Sequence, residues 1–249
     1  MPGELSITEH LRELRRRVLV CVAAVLAGSV VSFAFYRQII EFLSRPAYDL
    51  DTGSGLDLVF IEVTELLTTA VKVSFVAGFV LALPVILYQV VMFVAPGLTG
   101  RERRYLFLFM PAALVAFAAG VAFAYYVLTP PALRFLLGFS DVATPLIRIS
   151  NFVNLMVRLL FWMGVAFETP LVMYMLAHLG IVSAQRLSRF RRYWVVIAFI
   201  LAAIITPTFD PVNQALVAGP LLVLYELGVL LARLAGRSRR EADTAIVPR

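Results

Sequence analysis

Charge is the first shortage. Only 15% of the 249 residues are charged, 61% are hydrophobic, and the mean hydropathy is +0.89. A soluble domain of this length needs far more charged surface, so the composition excludes one and implies a polytopic membrane protein. Cysteine is nearly missing: Cys21 stands alone inside an apolar run, which excludes a disulfide framework or a thiolate metal site and reads as a small core residue. The two histidines, His10 and His178, form no HExxH motif. There is also no Gly-rich phosphate loop, no serine-nucleophile motif, no intramembrane aspartate pair and no evident internal repeat. The chain is therefore not expected to be an enzyme or to need a cofactor or metal.

What the chain has is long apolar runs. A helix needs about 20 apolar residues to cross about 30 Å of hydrocarbon. Six spans are predicted: Val18–Tyr36, Leu66–Val94, Tyr105–Leu128, Phe152–Leu179, Tyr193–Thr206 and Val212–Leu231. The expected fold is an all-α membrane protein, with one polytopic domain over residues 1–235 and a flexible cytoplasmic tail over 236–249. Arg15, Arg16 and Arg17 ahead of the first span resemble the start of a cleavable signal peptide. Five further spans and no clear small-residue cleavage site favour an uncleaved helix.

Arginine placement sets the orientation. The segment before span one, the loops after spans two and four, and the C-terminal tail carry 16 arginines; the other side carries Arg37, Arg45, Arg134 and Arg148. Both termini are expected in the cytoplasm. The net charge of +6 is then a topology signal, and nucleic-acid binding falls away.

Residues 4–17 read as an amphipathic helix on the cytoplasmic surface. Ser6 and Glu9 fit a capping box, and Ile7, Leu11, Leu14 and Val18 form one apolar stripe. Glu9 and Glu13 share another face, and Glu13 can pair with Arg16 or Arg17 on its own helix. The acidic stretch 37–65 is expected outside, with a flexible turn from Asp51 and a short helix that stops before Pro46. Lys72 snorkels outward from span two, and Pro84 bends that span. Span three ends at Pro130-Pro131. Span four is long and carries Glu168 just before Pro170, about 24 Å of helix from its outer end. A carboxylate there costs roughly 2.5–3.5 kcal/mol to insert, so it must face a partner, water or a cavity, or else stay protonated at the proline kink. Arg158, about 15 Å away along the helix, is too far to pair with it. Spans five and six are short and should thin the bilayer beside them. Thr206 and Gln214 flank the turn between them, where they can hydrogen-bond another helix. Glu226 can reach the inner interface.

The stretch FVAPGLTGRERR, residues 93–104, breaks a helix at Pro96-Gly97 and restarts it in charge. Glu102 is the one acid among three arginines, a carboxylate suited to recognising a cation at a membrane surface.

HLRELRRR at 10–17, PVILYQVVMFVAPGLTGRERR at 84–104, FAYYVLTPPAL at 123–133, GVAFETP at 164–170 and the TP…D…NQ turn at 206–214 resemble the TatC family. TatC is the multi-spanning receptor subunit of the twin-arginine protein translocase. The resemblance implies a glove-shaped six-helix bundle in a bacterial or archaeal cytoplasmic membrane, both termini inside. It implies a receptor for the twin-arginine signal peptides of folded proteins, exported by the proton-motive force. Glu13, Arg15, Phe93, Pro96 and Glu102 match the recognition surface, and Glu168 the buried acid of the concave face. Thr206 and Gln214 match the docking edge for the single-span partners TatA and TatB, within an oligomeric complex in contact with membrane lipids. The alternative reading of the residues is a proton-coupled small-molecule transporter that uses Glu168 as its relay.

Overall fold

The structure, a computed structural model, describes residues 7–48, 58–59, 61–95, 100–138, 147–206 and 210–244. The side chains of 7, 100–105, 137 and 237–244 are outside that description. Ser6 of the expected capping box, the turn from Asp51, Pro96 and the Thr208-Phe209 turn all lie outside it as well.

Nearly all of the described backbone is helical, because hydrocarbon offers no partner for an open N–H or C=O. The helices are α1 (Ile7–Ala34), α2 (Tyr36–Tyr48), α3 (Glu65–Val94), α4 (Gly100–Phe123), α5 (Thr129–Gly138), α6 (Ile149–Phe167), α7 (Thr169–His178), α8 (Ala184–Ile205) and α9 (Pro211–Thr244). Two short strands, β1 (Leu58–Val59) and β2 (Ile147–Arg148), pair in parallel with Leu58 opposite Ile147. Five helical stretches are long and apolar enough to cross a membrane: Thr8–Ala34, Glu65–Val94, Leu106–Leu136, Ile149–His178 and Pro211–Gly236. The remaining expected span, Tyr193–Thr206, falls in α8, whose apolar part from Tyr193 to Ile205 is only about 20 Å long.

Packing divides the chain into two compact units, Met1–Ser44 with Phe60–Leu114, and Arg45–Val59 with Val115–Arg249. In the first unit α1 packs against α3. Their backbones meet at glycine: a Cβ on Gly28 would stand 2.6 Å from the Gly78 carbonyl oxygen, and a Cβ on Gly78 would collide with the backbone of Ser29. In the second unit α9 packs on α7 and α8. Two small clusters fill that space, one of Met173, Tyr225 and Val229, the other of Ala177, Ala232 and Ala235. A Cβ on Gly120 would meet the Met163 carbonyl oxygen at 2.6 Å, so α4 and α6 also touch through small residues.

Three expectations need correction. The amphipathic segment and the first span are one unbroken helix, α1, since no breaker separates Arg17 from Val18. Its apolar stripe does not face protein: Leu11, Leu14 and Val18 are 58%, 40% and 51% exposed. Helix α2 runs through Pro46 to Tyr48, because a proline in the last turn removes only one donor from a helix about to end. Pro130-Pro131 does not end span three. A π turn at Ala124–Leu128 widens the ladder, and both the N–H and the hydroxyl of Thr129 donate to the Ala124 carbonyl, the hydroxyl at 2.8 Å. The prolines then fall at the start of α5, where a helix does not use its first N–H groups. Helix α9 itself runs to Thr244. Residues 237–244, RSRREADT, contain neither glycine nor proline.

Replacing Gly78 by valine should wedge α1 from α3 and destabilise the protein by about 1–3 kcal/mol, read as a lower unfolding midpoint in detergent. Gly236→Ala is the control, since a Cβ there meets nothing within 4 Å and no proline follows it; it should be neutral or slightly stabilising.

Candidate functional site

One polar stripe of α1 faces α3, and the stripe is set by spacing. His10, Glu13 and Arg17 recur at helical intervals, as do Gln89 and Phe93 on α3. Arg17 donates through Nε to Glu13 Oε1 at 3.0 Å, and its Nη2 bonds the same oxygen. Its Nη1 reaches across to Gln89 Oε1 at 3.1 Å. One turn further along both helices, the His10 ring stacks on Phe93 with centroids 4.5 Å apart. The side chains of Arg17 and Glu13 are 18% and 27% exposed, so the pair is sheltered but open to water. Arg12, Arg15 and Arg16 point outward.

Helix α3 ends at Val94, and the Ala95 N–H caps it on the Val91 carbonyl. Helix α4 begins at Gly100. Five residue steps join Ala95 to Gly100, so chain reach keeps the start of α4 within about 19 Å of the end of α3. Glu102 therefore lies in a first helical turn on the side of the unit that carries Glu13 and Phe93. Its side chain and Pro96 are outside the described residues, and no contact of either is assigned.

Glu168 occupies the joint between α6 and α7, where it closes one helix and opens the next. Its N–H bonds the Val165 carbonyl at 3.1 Å, and its carbonyl receives the Val172 N–H at 2.9 Å. Pro170 has no N–H to give, which accounts for the break in the helix at Glu168. The half-buried carboxylate lies beside the backbone of Phe117 on α4. Gly164 makes room for that approach, since a Cβ there would stand 2.6 Å from the Phe117 ring. Arg158 is exposed.

The residues flanking the α8–α9 turn bond within this chain. The Thr206 hydroxyl donates to its own helix at the Ala202 carbonyl, 2.8 Å away. Gln214 Nε2 donates to the Phe199 carbonyl at 2.9 Å and ties α9 to α8. Asp210 caps α9: its Oδ1 accepts the Asn213 N–H at 2.6 Å, with Pro211 in the first helical position. Thr206 and Asn213 also line a small apolar cavity with Thr129, Met156, Leu159 and Val217. Toward the other end of these helices Trp194 stacks on Tyr225 at 4.8 Å and donates to the Leu221 carbonyl, while the Tyr225 hydroxyl donates to the Leu187 carbonyl at 2.7 Å. Glu226 pairs with Arg191 at 2.7 Å instead of only reaching the interface. Among the described residues no group of three His, Cys, Asp or Glu could hold a metal ion.

The profile of the TatC family, Sec-independent protein translocase protein, matches residues 9–220. The chain belongs to the TatC family. TatC of Koribacter versatilis is 40% identical over 247 residues, covering 97% of this chain and 91% of that one. TatC of Aquifex aeolicus is 38% identical over 244 residues, covering 97% and 100%. A crystal structure of the twin-arginine translocase receptor TatC superposes with a TM-score of 0.83 at 38% identity, over 91% of this chain and 99% of that one. As a TatC-family chain with several membrane-length apolar helices, it is a multi-pass membrane protein.

Sequence reasoning singled out Glu13, Arg15, Phe93 and Glu102 but missed Gln89 and His10. Gln89 had a signal: it is a lone amide in an apolar run, one turn before Phe93. Trp194 and Tyr225 had none beyond their type. Tyr225→Phe should cost about 1 kcal/mol, since it removes the hydroxyl's hydrogen bond to the Leu187 carbonyl. Glu226→Gln should cost less than about 0.5 kcal/mol, because both partners of its ion pair are more than a third exposed. Chemical unfolding of both variants in micelles measures the difference.

Proposed function

We propose that this chain is the receptor subunit of a twin-arginine translocase, which binds the signal peptides of folded proteins for export driven by the proton-motive force. In this reading it crosses a bacterial or archaeal cytoplasmic membrane six times with both termini inside, and α8 is the short fifth crossing. The observation that carries the reading is the juxtaposition in the first unit: Glu13 and Gln89 acceptors, the His10–Phe93 stack and the nearby first turn of α4 with Glu102. The paired arginines of a signal peptide bring two planar guanidinium forks, which carboxylates bind through parallel charge-assisted bonds that an ammonium does not reproduce. Arg15 belongs to the recognition surface with Glu13, and the arginines around Glu102 hold the helix end at lipid head groups. Glu168 marks a break in an otherwise apolar span, beside which the apolar stretch of the signal peptide lies. TatA and TatB dock on the α8–α9 edge around Thr206 and Gln214, within an oligomeric complex.

Binding of a labelled twin-arginine signal peptide to the protein in nanodiscs tests this. Wild type should prefer twin-arginine over twin-lysine peptide, and Glu102→Gln should weaken the former roughly 10- to 100-fold, the equivalent of about 1.5–3 kcal/mol for a hydrogen bond to a charged group. Equal binding of the two peptides by wild type would sink the proposal.

A further inference from the structure

The Glu13–Gln89 acceptor pair already holds a guanidinium, and that guanidinium belongs to the chain itself. Four arginines precede the first span, but Arg12, Arg15 and Arg16 are exposed and only Arg17 turns inward. Its three nitrogens are all engaged: Nε and Nη2 on Glu13 Oε1, and Nη1 on Gln89 Oε1 at 3.1 Å. An ordinary pair four residues apart on one helix accounts for the first contact. It does not account for the second, which crosses to a residue 72 positions away on α3. Both Arg17 bonds to Glu13 fall on one carboxylate oxygen, and among the described residues none donates to Oε2, which leaves it open to a further donor.

We propose that Arg17 is a specificity-determining residue: an internal stand-in that fills the guanidinium site of the unbound receptor and must be displaced by an arginine of the signal peptide. The inference rests on the reading that this end of α1 and α3 receives the paired arginines. Its logic is exchange. An incoming guanidinium lands first on the open Oε2, then takes over Oε1 and the Gln89 oxygen as Arg17 swings into water. Fork is traded for fork, so hydrogen bonds balance and the exchange is cheap. An ammonium has no fork with which to hold the carboxylate and the Gln89 oxygen together, so it loses to Arg17. Selectivity for arginine thus arises from competition as well as from attraction. The partial burial of the pair suits this role, because it shelters the bonds while leaving the site within reach of a peptide.

The test measures twin-arginine and twin-lysine peptide binding to full-length wild type, Arg17→Met and Arg17→Lys in nanodiscs, with the unfolding midpoint of each. Removing the competitor should tighten twin-arginine binding roughly fivefold in Arg17→Met, about the worth of a partly exposed ion pair. Twin-lysine peptide should gain proportionally more, so the preference for arginine narrows. Arg17→Lys should lie between wild type and Arg17→Met, and it carries the test if Arg17→Met fails to fold. Folded variants that bind no tighter, with wild type still preferring arginine, would make Arg17 a brace between helices and overturn this inference alone. Equal binding of both peptides by wild type would overturn the receptor reading and this inference with it.

Discussion

The backbone contact of Gly28 with Gly78 fixes what α1 presents to α3. Lipid is as apolar as leucine, so burial of side chains does little to draw two helices together within it; close approach through small residues does more. Once Gly28 lies against Gly78, helical periodicity decides the rest of the face. Cys21, Arg17 and Glu13 follow along one stripe and are partly covered by the packing; His10, itself exposed, stacks on Phe93 at the end of that stripe. The arrangement of acceptors at the end of the first unit is thus a consequence of two hydrogen-sized side chains more than a helical turn inside the membrane.

The second unit solves a different problem, proline in a medium without water. Each proline leaves a carbonyl without its usual donor. The π turn ahead of Pro130-Pro131 places the N–H and hydroxyl of Thr129 on one carbonyl. At Pro170 the helix divides, and Glu168 occupies the division. Polar groups elsewhere in the unit are consumed in the same way: Trp194, Tyr225, Thr206 and Gln214 all donate to backbone carbonyls. Gln214 and Thr206 can serve a partner helix only by sharing or exchanging these bonds.

Length and hydropathy made the long spans legible, because crossing hydrocarbon demands a continuous apolar run whatever the neighbours are. The direction each helix faces was not legible. In a soluble protein the stripe of Leu11, Leu14 and Val18 would mark the core; here apolar surface is exposed where lipid is the solvent, and the polar stripe turns inward. The helical course through Pro46 and Pro130-Pro131 was misread because proline was taken as a terminator, when its cost depends on which turn it occupies. Glu13 and Phe93 were found from their motifs. Gln89 and His10 were not, because their role exists only once two segments far apart in sequence lie side by side.

Of the 22 lysine and arginine side chains, every one except Lys72 is arginine. A surface that recognises guanidinium with a carboxylate must therefore work among its own guanidiniums. Three of the described acids show two outcomes. Glu13 and Glu226 are each held by an arginine, at Arg17 and Arg191. Glu168 forms no ion pair among the described residues, and Arg158, about 15 Å along the same helix line, is too far to serve. Glu226 sits on a rim where its pairing ties α9 to α8. Glu13 sits where a ligand is expected, and its pairing uses the same atoms that the ligand needs. A receptor with an empty carboxylate there would bind any cation near the membrane surface; one whose carboxylate is already forked releases it only to a group that makes the same fork. In the exchange proposed for Arg17, the abundance of arginine around the site, which looks like interference, is what would allow a plain carboxylate to discriminate between two cations of equal charge.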